Sequence, residues 1–299
     1  MTMPEYVENR NIDRIKWDDC IARSCFETIY PYSWYLDTAA INWDGIIAGD
    51  YEAVFPVTWN IRYGIHYVFQ PVLAQQLGVF SAETPGVQQI GDFLRVLPRR
   101  FKHVDMNLNA SNPFYSKGFR ARRRVNYELD LSGEYTGIQK GYSTNTARNI
   151  RKSEERSLRI KRIDAEEYLD FKRKWNERLR DKNLLASLAG IFSLLVKNDH
   201  GEIWGAYADD RLCAGVVWAF SKTRRIYLNS VSDETGKELR AMFLLVDDFI
   251  KNHSGKPLIL DFEGSMIPGI ARFFEGFGAS RNDYTRIRRS SFPLNIVLK

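Results

Sequence analysis

Apolar and polar positions along this chain follow two periods, and the change from one to the other marks out the elements. Alternation in Glu52-Ala53-Val54-Phe55-Pro56-Val57 and the run Ile65-His66-Tyr67-Val68-Phe69 predict strands at 51–61 and 63–70, after one at 44–48. Pro56 predicts an edge position or a bulge. Trp17, Ile21, Phe26 and Ile29 give residues 17–41 a helical period, interrupted by Pro31. A helix at 85–100, a strand at 103–109 and a strand from Val125 to Leu131 complete the first half. The second half opens with a helix over 136–157, broken where the cap-type residues Ser143, Thr144 and Asn145 fall together. A strand (Leu158 to Ile163) precedes a helix over 164–180, whose predicted apolar stripe is Tyr168, Phe171, Trp175 and Leu179. A helix at 185–198, strands at 202–208, 211–221 and 224–231, and a helix at 236–252 follow. Strand 258–263, helix 267–276 and strands 283–290 and 292–298 close the chain.

Two pairs of segments match each other. Leu258 to Ala279 (LILDFEGSMIPGIARFFEGFGA) reads as strand, polar turn, short helix and glycine stop. Asp105 to Ser111 and the segment from Pro113 to Phe119 give a weaker copy, a strand and then a short helix. Trp43 to Val57 parallels Trp204 to Val217, each a strand, tight turn and strand. Repetition at this spacing implies one domain used twice. Ser132-Gly133 marks the boundary, giving domains 1–133 (shortened) and 134–299 of a mixed α/β chain of the α+β class.

Composition narrows the function. The 44% hydrophobic and 13% aromatic content supports real cores, and no run approaches the ~20 apolar residues of a membrane span. The N-terminal segment has no apolar stretch of the kind a secretory signal needs, and the expected location is cytoplasmic. Cys20, Cys25 and Cys213 are scattered and the four histidines isolated, so no metal is expected. The net charge of +6 is uneven: between Lys117 and Arg162 stand thirteen Lys/Arg against five Asp/Glu. Arg148, Arg151 and Lys152 share one helical face. Such a segment is either a solvated surface or a site for an anionic ligand, a diphosphate or a nucleic acid backbone. It lacks the interleaved aromatics of single-strand binders.

The element order of the second half is that of the GNAT acyltransferase fold, and two motifs resemble the Fem-type aminoacyl transferases. One is Asn145-Thr146-Ala147-Arg148-Asn149-Ile150-Arg151-Lys152. The other is Asp261-Phe262-Glu263-Gly264-Ser265 with Phe273-Phe274-Glu275-Gly276-Phe277-Gly278-Ala279. The resemblance implies tandem GNAT-like domains, each a mixed sheet flanked by helices, whose central parallel strands splay to admit a donor's pantetheine arm. It implies an N-acyltransferase or aminoacyltransferase-like enzyme moving an acetyl or aminoacyl group to an amine on a small anionic acceptor, with a cell-envelope link. The donor is then acetyl-CoA or another acyl-CoA, with aminoacyl-tRNA as the alternative, so that tRNA is a further candidate partner. The competing reading is an inactive GNAT-like protein that binds an anionic ligand. One departure supports that reading: the family pattern has lysine at the position of Phe274. Loss of an oxyanion donor of that kind typically costs on the order of 100- to 1000-fold in rate.

Acyl transfer requires a base for the acceptor amine and an acid for the leaving group. Asp261 and Glu263, two residues apart on a strand, are expected on one side as base candidates. The alternative is that they cap the following helix or pair with arginines. Tyr227, a candidate acid, and Asn229, a candidate substrate ligand, are likewise expected to share a side; Tyr284 is a further acid candidate. Gly236, Lys237 and Arg240 are the cofactor-binding candidates, although Asp233 and Glu234 just before them would repel phosphate. Arg148, Arg151 and Lys152 are the candidates for holding the acceptor.

Overall fold

The computed structural model of the protein describes residues 2–114, 118–264 and 266–290. The expected strand at 292–298 lies outside these, as does part of the expected helix after Pro113. In chain order the first elements are β1 (Glu5–Val7), α1 (Arg14–Ala22), α2 (Ser33–Ala39), β2 (Asn42–Ala48) and β3 (Ala53–Arg62). Next come β4 (Ile65–Phe69), β5 (Phe80–Ser81), α3 (Val87–Arg95), β6 (Phe101–Leu108) and β7 (Arg120–Arg124). They are followed by β8 (Tyr127–Asp130), α4 (Tyr135–Gln139), α5 (Thr144–Glu154), β9 (Arg159–Arg162), α6 (Ala165–Trp175) and α7 (Lys182–Lys197). Then come β10 (Gly201–Ala208), β11 (Arg211–Phe220), β12 (Arg224–Ser232), α8 (Glu234–Glu238) and α9 (Ala241–His253). Last are β13 (Ile259–Asp261), α10 (Pro268–Gly276), β14 (Ser280–Arg281) and β15 (Tyr284–Ser290).

The chain forms two compact units. The first runs to Arg124 and takes in the chain again from Asp283; the second is Val125–Asn282. The expected boundary at 133 is corrected at both ends by strand pairing. β8 belongs to the second sheet, where it lies between β13 and β14, and β15 belongs to the first, between β6 and β7. The first sheet has the order β1-β2-β3-β4-β6-β15-β7, with β5 on β3. The second has the order β14-β8-β13-β12-β11-β10-β9. Each contains one parallel pair between named strands, β4 with β6 and β12 with β13.

The helices of the second unit start where polar side chains cap them. Ser143 accepts from the Thr146 amide at the head of α5, Asp164 from Glu167 at α6, and Asp181 from Asn183 and Leu184 at α7. Alternation along β11 sends Ala214, Val216 and Trp218 into a core with α5, α9 and α10. Gly215 faces the other way, where the Tyr168 ring of α6 lies so close that a side chain at 215 would press on it. Helices therefore cover both faces of this sheet, and Arg211 is the one exposed residue of β10 to β12.

Candidate active site

β12 and β13 pair over only three rungs, Arg224 with Ile259, Arg225 with Leu260 and Ile226 with Asp261. β13 ends there while β12 continues to Ser232, so the parallel pair splits. A slot of about 300 Å³ lies along the split, lined by Tyr227, Ser230 and Ser232 of β12. Its other walls are Gly236, Lys237, Arg240, Met242 and Phe243 on one side, and Gly269, Ile270, Phe273 and Phe274 of α10 on the other. The lining is mainly apolar, with two cations at Lys237 and Arg240.

A bulge in β12 decides which side chains enter the slot. Asn229 stands opposite Val217 but Tyr227 stands opposite Trp218, so Leu228 has no partner across the ladder. Alternation is reset there. Tyr227 packs on the α10 side, with ring centroids 5.7 Å from Phe274 and 5.3 Å from Trp218. Asn229 faces α6 and accepts a 2.8 Å hydrogen bond from the Tyr168 hydroxyl. The expectation that Tyr227 and Asn229 share a side is thus corrected. Burial pushes the Tyr227 hydroxyl well above its ordinary value, opposed by a hydrogen bond with the Ser230 side chain.

The carboxylates sit elsewhere. Asp261 is 1% exposed and does not line the slot. It accepts from Asn126 Nδ2 at 3.0 Å, from the Glu263 amide at 2.9 Å and from Arg224 at 3.2 Å. Arg224 also reaches Glu128 at 2.6 Å. Burial raises the Asp261 carboxyl's affinity for protons and Arg224 opposes it. Glu263 follows the end of β13 and has a positive φ of 57°, so strand alternation no longer relates it to Asp261. The pairing alternative describes Asp261, which ties β8, β12 and β13 together at the apex of the split. Tyr284 lies in the first unit, on β15 opposite Arg124.

Gly236, Lys237 and Arg240 are the sequence candidates that meet Tyr227 in one slot. Gly236 has to be glycine, because any Cβ there would collide with the Cys213 carbonyl. Its amide is taken by Asp233, which caps α8 with a 2.7 Å hydrogen bond, and Lys237 lies 2.7 Å from Glu234. The two acids thus organise the turn at the slot's mouth, and Arg240, with φ 61°, donates back to the Lys237 carbonyl at 2.9 Å. Arg148, Arg151 and Lys152 are exposed on one face of α5, opposite its buried face of Thr146, Asn149, Ile150 and Ser153, and do not line the slot. A second cavity of about 670 Å³ adjoins the slot across Phe243, Gly269 and Phe273 and reaches Ser143, Asn145 and Arg272.

Some lining residues carry no signal in the sequence. Ser230 and Ser232 enter only because of the bulge. Gly269 and Phe273 read as ordinary helix positions. Phe274 is buried, stacks on Phe262 at 4.8 Å and supplies wall rather than charge. Among the described residues no group of side chains could hold a metal ion, and no helix is long and apolar enough to cross a membrane.

Comparison with known proteins agrees with this geometry. Residues 140–258 match the family model of the acetyltransferase (GNAT) domain. The fold is similar to the crystal structure of FemX, with a TM-score of 0.67 at 9% identity over 92% of this chain and 96% of that one. It is also similar to a tandem GNAT protein from the clavulanic acid biosynthesis pathway (TM-score 0.56, 13% identity, 95% and 97% coverage). A third likeness is to the C-terminal domain of a protein assigned as a lysylphosphatidylglycerol synthetase from Agrobacterium fabrum (TM-score 0.53, 9% identity, 96% and 94% coverage). No curated protein matches the chain. Residues 140–258 of the second unit thus match a GNAT acetyltransferase domain, and the fold of the chain as a whole is similar to those of FemX and the tandem GNAT protein.

Proposed function

We propose that the protein transfers an acyl group from an acyl-CoA held in the β12–β13 slot to an amine on an anionic acceptor. The observation that carries this reading is the slot itself: an apolar channel along a split strand pair, with Gly236, Lys237 and Arg240 at its mouth. The donor fits this residue set. Lys237 and Arg240 would face its phosphates, and the apolar wall would take the pantetheine arm. When bound, the donor supplies a thioester activated toward an amine. Tyr227, kept protonated by burial, is the aromatic hydroxyl lining the slot and is suited to donate a hydrogen bond to a leaving thiolate. Arg148, Arg151 and Lys152, exposed on one face of α5, are suited to an anionic acceptor. The likeness to FemX and to the synthetase domain supports a cell-envelope acceptor as one class to test. The basic face of α5 equally supports trying aminoacyl-tRNA as donor.

A specific observation favours a second reading, a binding protein without turnover. Among the described residues no carboxylate or histidine lines the slot, and the wall at Phe274 is uncharged. The two readings separate experimentally. Acetyl-CoA at 100 times its dissociation constant should stabilise the protein by ~2.7 kcal/mol, seen as a rise in melting temperature. Thiol release in the presence of an amine panel then reports turnover. Stabilisation without thiol release identifies the binding protein, and no stabilisation at millimolar donor overturns the acyl-CoA reading.

A further inference from the structure

Behind the slot, on the other face of the sheet, α6 carries a buried lysine. Lys172 is 8% exposed, and its ammonium donates a 2.7 Å hydrogen bond to the main-chain carbonyl of Ser230. Its neighbour one helical turn back is Tyr168, whose ring centroid lies 5.9 Å from the ammonium and whose hydroxyl holds Asn229. Two consecutive residues of β12, just past the bulge, are therefore gripped from α6. They belong to the stretch of β12 beyond its last rung with β13. Ser230 is also the residue whose side chain lines the slot and bonds with Tyr227.

A lysine buried to this degree is costly unless it is paired. The partner here is a neutral carbonyl, and no ion pair to Lys172 is present among the described residues. A methionine would fill the same space on α6 without that cost, so packing alone does not account for the ammonium. What the ammonium adds is a charge-assisted bond to one particular peptide of the slot strand.

We infer that Lys172 is a positioning residue of the slot: from the opposite face its ammonium fixes the Ser230 peptide, and through it the Tyr227 and Ser230 side chains that meet the donor. This rests on the slot being the acyl-CoA site. The position also makes the grip sensitive to pH. Burial pushes the Lys172 amine down to about 8, and it is the sole cause, with no neighbouring charge contributing. The elements packed on α6 are α7, β10, β12 and the short turn Glu177–Arg180, whose Arg180 is exposed. Among their titratable groups, Tyr207 of β10 is committed to Glu167, Arg224 of β12 to Glu128 and Asp261, and Lys182 and Lys197 stand at the two ends of α7. Tyr168 and Tyr227 stay protonated across the same range because burial raises both. Below pH 8 the bond is charge-assisted; above it the amine is neutral and the grip weakens.

The test measures acetyl-CoA affinity by calorimetry from pH 7 to 9.5 for the wild type, Lys172→Arg and Lys172→Met. Hydrogen–deuterium exchange of a peptide covering residues 226–232 is followed at pH 7 without ligand. The wild type should lose about tenfold in affinity over this range. Lys172→Arg, which keeps its charge, should bind with a flat profile. Lys172→Met should bind about tenfold more weakly at pH 7, also with a flat profile, and should exchange faster over 226–232. Wild-type affinity and pH dependence in Lys172→Met would overturn the inference. If Lys172→Met does not fold, the profile of Lys172→Arg decides: a wild-type fall above pH 8 overturns the assignment and a flat line supports it. If the wild type binds no acetyl-CoA, the donor reading fails separately. Exchange then decides for Lys172, and equal protection in the variants counts against it.

Discussion

The two units solve the same geometric problem in opposite ways. Each has a parallel strand pair that runs out of rungs, leaving main-chain groups without a neighbouring strand. In the first unit β4 stops at Phe69, and the segment after it fills the place alongside β6. The Asn107 amide is taken by the Gln70 side chain at 2.9 Å and the Ala110 amide by Gln76 at 2.9 Å, while the Asn107 side chain donates to the Gln75 carbonyl. Leu77 then bonds in both directions at the end of β6, donating to the Asn107 carbonyl and accepting from the amide of Asn109 just beyond the strand. In the second unit β12 runs on past the split, and the place beside it is the slot. Satisfying the strand edge internally makes a structural unit, and leaving it to a ligand makes a binding unit. On the proposed function, the position of the slot puts the acyl chemistry in the second unit.

The strongest way to break this comparison is to fill the open slot without disturbing the fold. Gly269, in the first turn of α10, lines both the slot and its adjoining cavity, and a Cβ there meets nothing within 4 Å. Gly269→Phe should lower acetyl-CoA affinity at least about a hundredfold, roughly 2.7 kcal/mol, while the melting temperature moves by only a few degrees. Unchanged affinity by calorimetry would place the donor elsewhere.

A comparable effect, read in stability rather than affinity, is expected at the apex of the split. Asp261→Asn removes one charge from a buried cluster in which Arg224 is only 5% exposed. Breaking such a pair costs on the order of 3 kcal/mol. Denaturant unfolding should show this loss, while acetyl-CoA affinity of the folded fraction changes less than about threefold. Full stability with abolished turnover would return Asp261 to the role of base.

How much of this could be read from the sequence follows from how local each feature is. The helices and hairpins of the second unit were legible, because period and caps are local signals: Ser143 breaks the helix over 136–157 as its cap chemistry requires. The apolar stripe of α6 was half legible. Tyr168 and Phe171 point inward, but Trp175 ends the helix 51% exposed, and the buried face continues through Lys172. A lysine at such a position reads as solvated until its partner is seen. The bulge at Leu228 left no trace in composition, yet it separates Tyr227 from Asn229. β7, with the sequence RARRR, carries no apolar alternation and read only as charge. It is a strand because β15, from the far end of the chain, pairs with it and sets Arg286 opposite Arg122 and Arg288 opposite Arg120. Asp105 holds Arg286 in a two-pronged pair, which offsets part of that repulsion.

The smallest expected effect tests the closed copy. If the glutamines of the first unit only complete the edge of β6, removing one should cost a hydrogen bond and gain no function. Gln70→Ala leaves the half-buried Asn107 amide without its side-chain acceptor, a loss of about 1 kcal/mol in denaturant unfolding. Calorimetry should still find one acetyl-CoA per chain, in the variant as in the wild type, because the main chain between Gln75 and Leu77 continues to occupy the edge. A second equivalent of bound donor in Gln70→Ala would show that the closed copy is a slot held shut by a single side chain, and the contrast between the units would then be one of degree. A loss well above 1 kcal/mol with one equivalent bound would instead make the glutamine network part of the first unit's folding core.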